Sequence, residues 1–309
     1  MKIFNSINDF ICSKKTILTL GTFDGVHIGH RKILEKVTQN TESDTTESLV
    51  LTFFPHPRMV LQGQSDVKLL NTIGEKIDLL ETLGVQNLVI HPFDEVFSKL
   101  TAEEFVKTVL VEQFHIQKII IGHDHRFGRN RTANIDDLIA FGQQYDFEVE
   151  QISVQEIKEV SISSTKIRNA LTEGNMALAN DYLGYEYFLT GTVSRGKQLG
   201  RTIGFPTANL MIEGNDKLIP QNGVYVVKSI INQKTIFGMM NIGFNPTVAG
   251  EKLSVEVHYF DFDADLYDQE IRVSILEYLR AEQKFSSVPL LKEQLEKDKD
   301  AAWTYIKNL

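Results

Sequence analysis

The sequence predicts two domains: a parallel α/β domain, then an antiparallel β domain closed off by a terminal helix. Three observations carry this. The chain has 309 residues, more than a single core usually organises. Short apolar runs alternate with helical stretches as far as about Asn180. From Tyr187 the texture changes to short strand-like segments separated by Gly, Asn and Asp turns, and helical spacing returns only at the end.

In the first half, TILTL (16–20), SLVLTFF (48–54), NLVIH (87–91), KIIIG (118–122) and FEVEQISV (147–154) read as strands. Between them HRKILEKVTQ, GEKIDLLETLG and AEEFVKTVLVEQF carry apolar residues at helical spacing. Strand, helix, strand in repetition predicts a parallel sheet with crossover helices and a ligand at the carboxyl ends of its strands. In the second half FLTGTVSRG, NGVYVVKSII, KTIFGMMNIG, KLSVEVHYFDF and IRVSILEYL read as strands of an antiparallel barrel or sandwich, with no helix until the end. The closing VPLLKEQLEKDKDAAWTYI sets Leu291, Leu295, Ala302, Trp303 and Ile306 on one stripe, as a helix packed on the β domain would. The boundary is expected within DYLGYEY (181–187), giving domains 1–183 and 184–309.

Composition narrows the function classes. With 42% hydrophobic and 24% charged residues the chain reads as an ordinary globular protein, and a net charge of −9 disfavours a long nucleic-acid surface. One cysteine, Cys12, leaves no intrachain disulfide and no Cys-based zinc cluster. The opening MKIFNSINDFICSKK lacks the apolar core of a signal peptide, and no run approaches the roughly 20 apolar residues of a spanning helix. A cytoplasmic protein without nucleic-acid or membrane partners is expected, and weak homo-oligomerisation is left open.

Chemistry concentrates first at GTFDGVHIGH (21–30), directly after a strand. Gly21 and Gly25 allow a tight turn and close approach of a ligand, while His27 and His30 fall at i and i+3 where a helix begins. Both imidazoles can face one point near free N–H groups that favour a phosphate. A plain strand-to-helix turn with two surface histidines accounts for the spacing equally well. In ISSTKIR (162–168), Ser163, Ser164 and Thr165 form a cap-like cluster with Arg168 one turn on, a second place where hydroxyls, amides and a guanidinium converge.

These two stretches resemble the signature of the nucleotidyltransferase superfamily with HxGH-type histidines. With TFFPHPRMV (52–60) and IGHDHRFGRNR (121–131), they resemble the FMN adenylyltransferase module of bacterial bifunctional riboflavin kinase/FAD synthetases, a Rossmann-like domain. The resemblance implies that His27 and His30 act on the ATP α-phosphate, within a nucleotide loop of Gly21, Thr22, Phe23, Asp24 and Gly25. It implies that Ser164, Thr165 and Arg168 hold phosphates of ATP and of departing pyrophosphate. Pro55, His56 and Pro57 match the PHP element that shapes the flavin and nucleotide site, and Asp124 matches a polar loop position beside the ligand. His125 stands where family members often carry Phe; His123, Asp124 and His125 read as a nucleotide-lining loop in preference to a metal site.

In the second half, GTVSRGKQLGRTIGFPTANL (191–210) has glycines at 191, 196, 200 and 204 but departs from a Walker motif, and no helix pattern follows it. Backbone N–H groups there, with Lys197 and Arg201, could cradle phosphates, although glycine-rich hairpins are often only hairpins. Thr207 and Asn209 are oxygen donors two apart, suited to Mg²⁺. Asp261, Asp263 and Asp265 lack the glycine and glutamate of a calcium loop and read as a turn. GFPTANL, NGVYVV, NIGFNPTV, VEVHYFDFDADLY and LRAEQKF, in this order, are similar to the riboflavin kinase family, whose fold is a small antiparallel β-barrel. That resemblance implies Glu256 as the base for the ribityl 5′-hydroxyl and Thr207 and Asn209 at Mg²⁺ and phosphate. It also implies nucleotide contacts at Gly196, Gly200 and Arg201, and a flavin contact at Arg280. The substrates implied are riboflavin, FMN and ATP, with FAD as final product.

Overall fold

The computed structural model describes residues 1–41, 44–61, 68–122, 126–153, 162–196, 199–247 and 250–309, in two compact units, Met1–Ser163 and Ser164–Leu309. Alternation along TILTL lays out the first unit. Ile17 faces one apolar cluster with Ile33, Val37, Ile120 and Ile152, whereas Leu18 and Leu20 face a second with Leu49, Leu51, Val106, Leu110, Phe114 and Leu138. A strand buried on both faces must be covered by helices on both, which is the parallel-sheet solution.

Six parallel strands form that sheet: β1 (Lys2–Phe4), β2 (Lys15–Leu20), β3 (Thr46–Phe53), β4 (Asn87–His91), β5 (Ile116–Gly122) and β6 (Glu148–Ile152), in the order β1-β4-β3-β2-β5-β6. Helices α1 (Ile28–Gln39), α2 (Pro57–Leu61), α3 (Ile73–Thr82), α4 (Glu95–Ser98), α5 (Ala102–Glu104) and α6 (Ile135–Tyr145) fill the connections. The helix expected at AEEFVKTVLVEQF forms, but after α5 it widens to π geometry over Phe105–Gln113. The chain adds β3 and β4 on one side of β2 and then jumps to β5 on the other. The crevice beyond the carboxyl ends of β2 and β5 is therefore the topological switch point, where such sheets bind ligands, and GTFDGVHIGH begins at the end of β2.

In the second unit a closed antiparallel barrel runs β10-β11-β8-β7-β12-β9. Its strands are β7 (Phe188–Ser194), β8 (Ala208–Met211), β9 (Gly223–Ile231), β10 (Lys234–Thr247), β11 (Gly250–Tyr259) and β12 (Glu270–Arg280). The β9–β10 hairpin turns through Asn232 and Gln233, at φ 50° and 64°, matching the strand twist as a primed turn does. α10 (Val288–Ile306) packs Leu295, Ala302, Trp303 and Ile306 on barrel residues including Val226, Met239 and Phe260, with Trp303 stacked on Phe260 at 5.3 Å.

One feature departs from the sequence reading. The second half is not free of helix before its end: α9 (Leu199–Ile203) forms inside the glycine-rich stretch, closed by a Phe205 N–H to Gly200 carbonyl bond of 2.8 Å. Five residues are too few to register as a periodic pattern. In addition, α7 (Ser164–Thr172) and α8 (Met176–Leu183) group with the barrel unit. The Asn180 amide donates to the Ile275 carbonyl at 3.0 Å, its oxygen accepts from Tyr187 N–H at 2.7 Å, and Gln221 N–H donates to Leu171.

Candidate active sites

Between β2 and α1 the backbone is forced into a tight turn. Phe23, Gly25 and Val26 take φ of 45°, 87° and 36°, a region costly for a β-branched residue and free for glycine. Val26 is fully buried, so the surrounding packing holds the strained turn. The turn delivers His27 to the N-cap of α1, where its Nδ1 accepts a long bond, 3.4 Å, from His30 N–H. That bond needs a lone pair on Nδ1 and so sets the neutral His27 ring with its proton on Nε2.

His30 lies one turn on, its ring stacked on His27 with centroids 3.6 Å apart and planes 19° from parallel. Phe23 packs edge-on against it at 5.2 Å. Burial, then the neighbouring His27 and Lys76, hold His30 well below the usual imidazole range, so at neutral pH it is an uncharged hydrogen-bonding ring. Its Nδ1 is sealed from solvent with no partner among the described residues. The two histidines expected to act together are thus brought together.

The rest of the loop is anchored from outside. Asp24, 2% exposed, accepts the Leu70 N–H at 2.8 Å. The Thr22 carbonyl accepts from Lys76 Nζ at 2.7 Å and from Thr52 Oγ1 at 3.3 Å. Lys76 went unnoticed in the sequence because GEKIDLLETLG reads as an amphipathic helix with lysine on the wet side. The available signal was its spacing, one turn before Leu79 and Leu80 on the buried stripe.

After β3 the Phe54–Pro55 peptide is cis, and buried His56 accepts Arg58 N–H on Nδ1 at 3.2 Å, directly before Pro57 opens α2. His123, Asp124 and His125 lie outside the described residues, as does Lys197. In the second unit Ser164 and Thr165 are the first residues of α7 and Arg168 is one turn further, as expected of a helix start.

The barrel gathers a second set. Antiparallel register sets Glu256 opposite Asn209 on β8 and opposite Asn241 on β10. Thr207, just ahead of β8, donates from Oγ1 to Glu256 Oε2 at 3.2 Å. Thr207, Asn209 and Glu256 therefore meet, presenting only oxygen ligands of the kind a hard cation takes. His258, two residues along β11, bonds the Pro206 carbonyl through Nδ1 at 2.8 Å and so pins the backbone that carries Thr207. Gly196 lies over this group, where a Cβ would collide with the Asn209 carboxamide. Gly200 and exposed Arg201 are in α9.

Arg280, at the end of β12, is committed to α10. Its Nε and one terminal nitrogen donate to the two oxygens of Asp298 at 2.8 and 2.6 Å, and Gln294 also donates to Asp298 at 2.9 Å.

A histidine pair at the switch point of a parallel sheet, and a carboxylate–threonine–asparagine set in a closed barrel, define a two-domain transferase that handles phosphates. Comparison with known proteins sharpens this. Residues 10–166 match the FAD synthetase family and residues 183–306 the riboflavin kinase family. The chain is 39% identical to the bifunctional riboflavin kinase/FMN adenylyltransferase of Listeria monocytogenes, over 91% of this chain and 90% of that one. It is 37% identical to the protein of the same name from Bacillus subtilis, over 96% and 94% of the two chains. A crystal structure of a Streptococcus pneumoniae protein described as a macrolide-efflux protein superposes with a TM-score of 0.87 at 31% identity, covering 97% of each chain. Among the described residues no helix is long and apolar enough to cross a membrane. The chain belongs to the bifunctional riboflavin kinase/FMN adenylyltransferase family.

Proposed function

We propose that the chain makes FAD in two ATP-dependent steps, riboflavin phosphorylation by residues 184–309 and adenylylation of the resulting FMN by residues 1–183. The observation that carries the reading is the stacked His27–His30 pair at the N-terminus of α1, beyond the end of β2, in a chain of this family.

In the kinase step Glu256 takes the proton of the ribityl 5′-hydroxyl as that oxygen attacks the γ-phosphorus, and ADP leaves. Thr207 spends its one proton on Glu256 and keeps its lone pairs outward; with Asn209 it would hold Mg²⁺, a donor set that suits this cation. Bound there, Mg²⁺ would neutralise phosphate charge. Gly196, Gly200 and Arg201 border the nucleotide, and Arg280 contacts flavin with guanidinium N–H groups left over from Asp298.

In the second step an FMN phosphate oxygen attacks the α-phosphorus of ATP and pyrophosphate leaves. No covalent enzyme intermediate is needed, because alignment and charge stabilisation supply the rate. His27 and His30 donate N–H to the α-phosphate as charge builds on it. The loop from Gly21 to Gly25 carries the nucleotide, and Ser164, Thr165 and Arg168 hold its phosphates and the pyrophosphate. Pro55, His56 and Asp124 shape the flavin side. A cytoplasmic enzyme acting on these small molecules, singly or as a weak oligomer, completes the reading.

The test is incubation with riboflavin, ATP and Mg²⁺ followed by separation of the flavins. FMN should appear first and FAD after it; consumption of riboflavin without FAD would refute the second step.

A further inference from the structure

Lys76 is a buried charged group tied to the turn that leads to the histidine pair, and the reaction above leaves it unused. It is 5% exposed, and among the described residues its ammonium donates only to the Thr22 carbonyl, at 2.7 Å. A neutral amide or hydroxyl could make that bond without burying a charge, which is expensive. The charge therefore calls for a reason of its own. Asp24 faces it from the loop and favours its ammonium form, while burial opposes it.

We propose that Lys76 is a positioning residue of the adenylyltransferase site, fixing the turn from Thr22 to His27 through the Thr22 carbonyl. The capping box at Thr72 and Glu75, with Glu75 accepting Thr72 N–H at 2.9 Å, fixes the first turn of α3 and with it the start of this side chain. Two ties, Asp24 to Leu70 and Lys76 to Thr22, join the loop to the entry of α3, so strain at Phe23 and Val26 is held from one side by a cation.

The inference rests on the role proposed for His27 and His30, and the experiment separates the two. FMN adenylylation by the full chain is followed as kcat and KM for ATP, for wild type, Lys76→Met, Lys76→Arg, His27→Ala and His30→Ala. Lys76→Met removes the donor to the Thr22 carbonyl, and its kcat should fall about tenfold or more with a smaller change in KM. Lys76→Arg keeps a charged donor and should restore most of the kcat. Circular dichroism confirms that each variant is folded, and if Lys76→Met is unfolded, Lys76→Gln takes its place under the same criteria. A folded variant without the ammonium whose kcat and KM stay at the wild-type values overturns the proposal. If His27→Ala and His30→Ala retain full activity, the reading of the pair fails instead.

Discussion

His27 Nδ1 accepts the backbone N–H of His30 while the two rings stack 3.6 Å apart, so a helix cap and the proposed catalytic pair are built from the same two side chains. The stack fixes His30 beside the capping ring. Removing either ring should cost on the order of 10² or more in FMN adenylylation, by analogy with a lost oxyanion donor, with substrate affinity changing less. Steady-state kinetics on His27→Ala and His30→Ala check this; near-normal turnover would end the assignment.

In the barrel, Thr207→Ala removes both the hydroxyl that faces Glu256 and a proposed oxygen ligand. Riboflavin phosphorylation should fall sharply even in excess Mg²⁺, and a chelator should abolish it in the wild type. Full kinase activity in the chelator would contradict the metal role.

Acidification should destabilise both units before any carboxylate is protonated. Burial holds His30 and His91 below the usual imidazole range in the first unit and His258 in the barrel. For a base whose folded pKa is depressed, the unfolded chain binds more protons, so stability is complete above the unfolded value near 6.5 and falls as pH drops toward the folded one. Melting temperature should decline between about pH 7 and pH 5. Glu47 and Glu150, lowered by a bond from Asn87 and by Lys118 and Lys36 respectively, lose their share only further down, below the unfolded value of 4.5. A flat melting temperature across the upper window would count against the histidine assignments.

Asp298 is nearly buried and receives both Arg280 and Gln294. Asp298→Ala leaves a guanidinium unpaired beneath α10 and should destabilise the barrel by about 3 kcal/mol or more. Chemical denaturation followed at Trp303, on the same helix, reads it out. A change under about 0.5 kcal/mol would mean that the pair is no more than a surface contact.

The strands and their parallel order were legible because double-sided burial writes itself as unbroken apolar runs, and NLVIH coincides with β4. The histidine pair and the Thr207, Asn209 and Glu256 set were legible because their spacing is short or lies in several motifs at once. What escaped has physical reasons. Strand β1 is three residues at a sheet edge, with Lys2 and Ile3 exposed, too short to show a period. Lys76 escaped because a buried lysine looks like any helical lysine until its neighbours are known. The pairing of Arg280 with Asp298 escaped because it spans a strand end and a helix, which sequence spacing does not reveal.

The central claim is that one chain carries two separable transfers. A general base contributes typically 10² to 10⁴-fold, so Glu256→Gln should nearly abolish riboflavin phosphorylation while FMN and ATP supplied to it still give FAD at close to the wild-type rate. His27→Ala, given riboflavin and ATP, should accumulate FMN and make little FAD. Measuring FMN and FAD from both variants, each folded by circular dichroism, tests this most directly. Reciprocal loss is the expected result, and loss of both activities in each variant would contradict it.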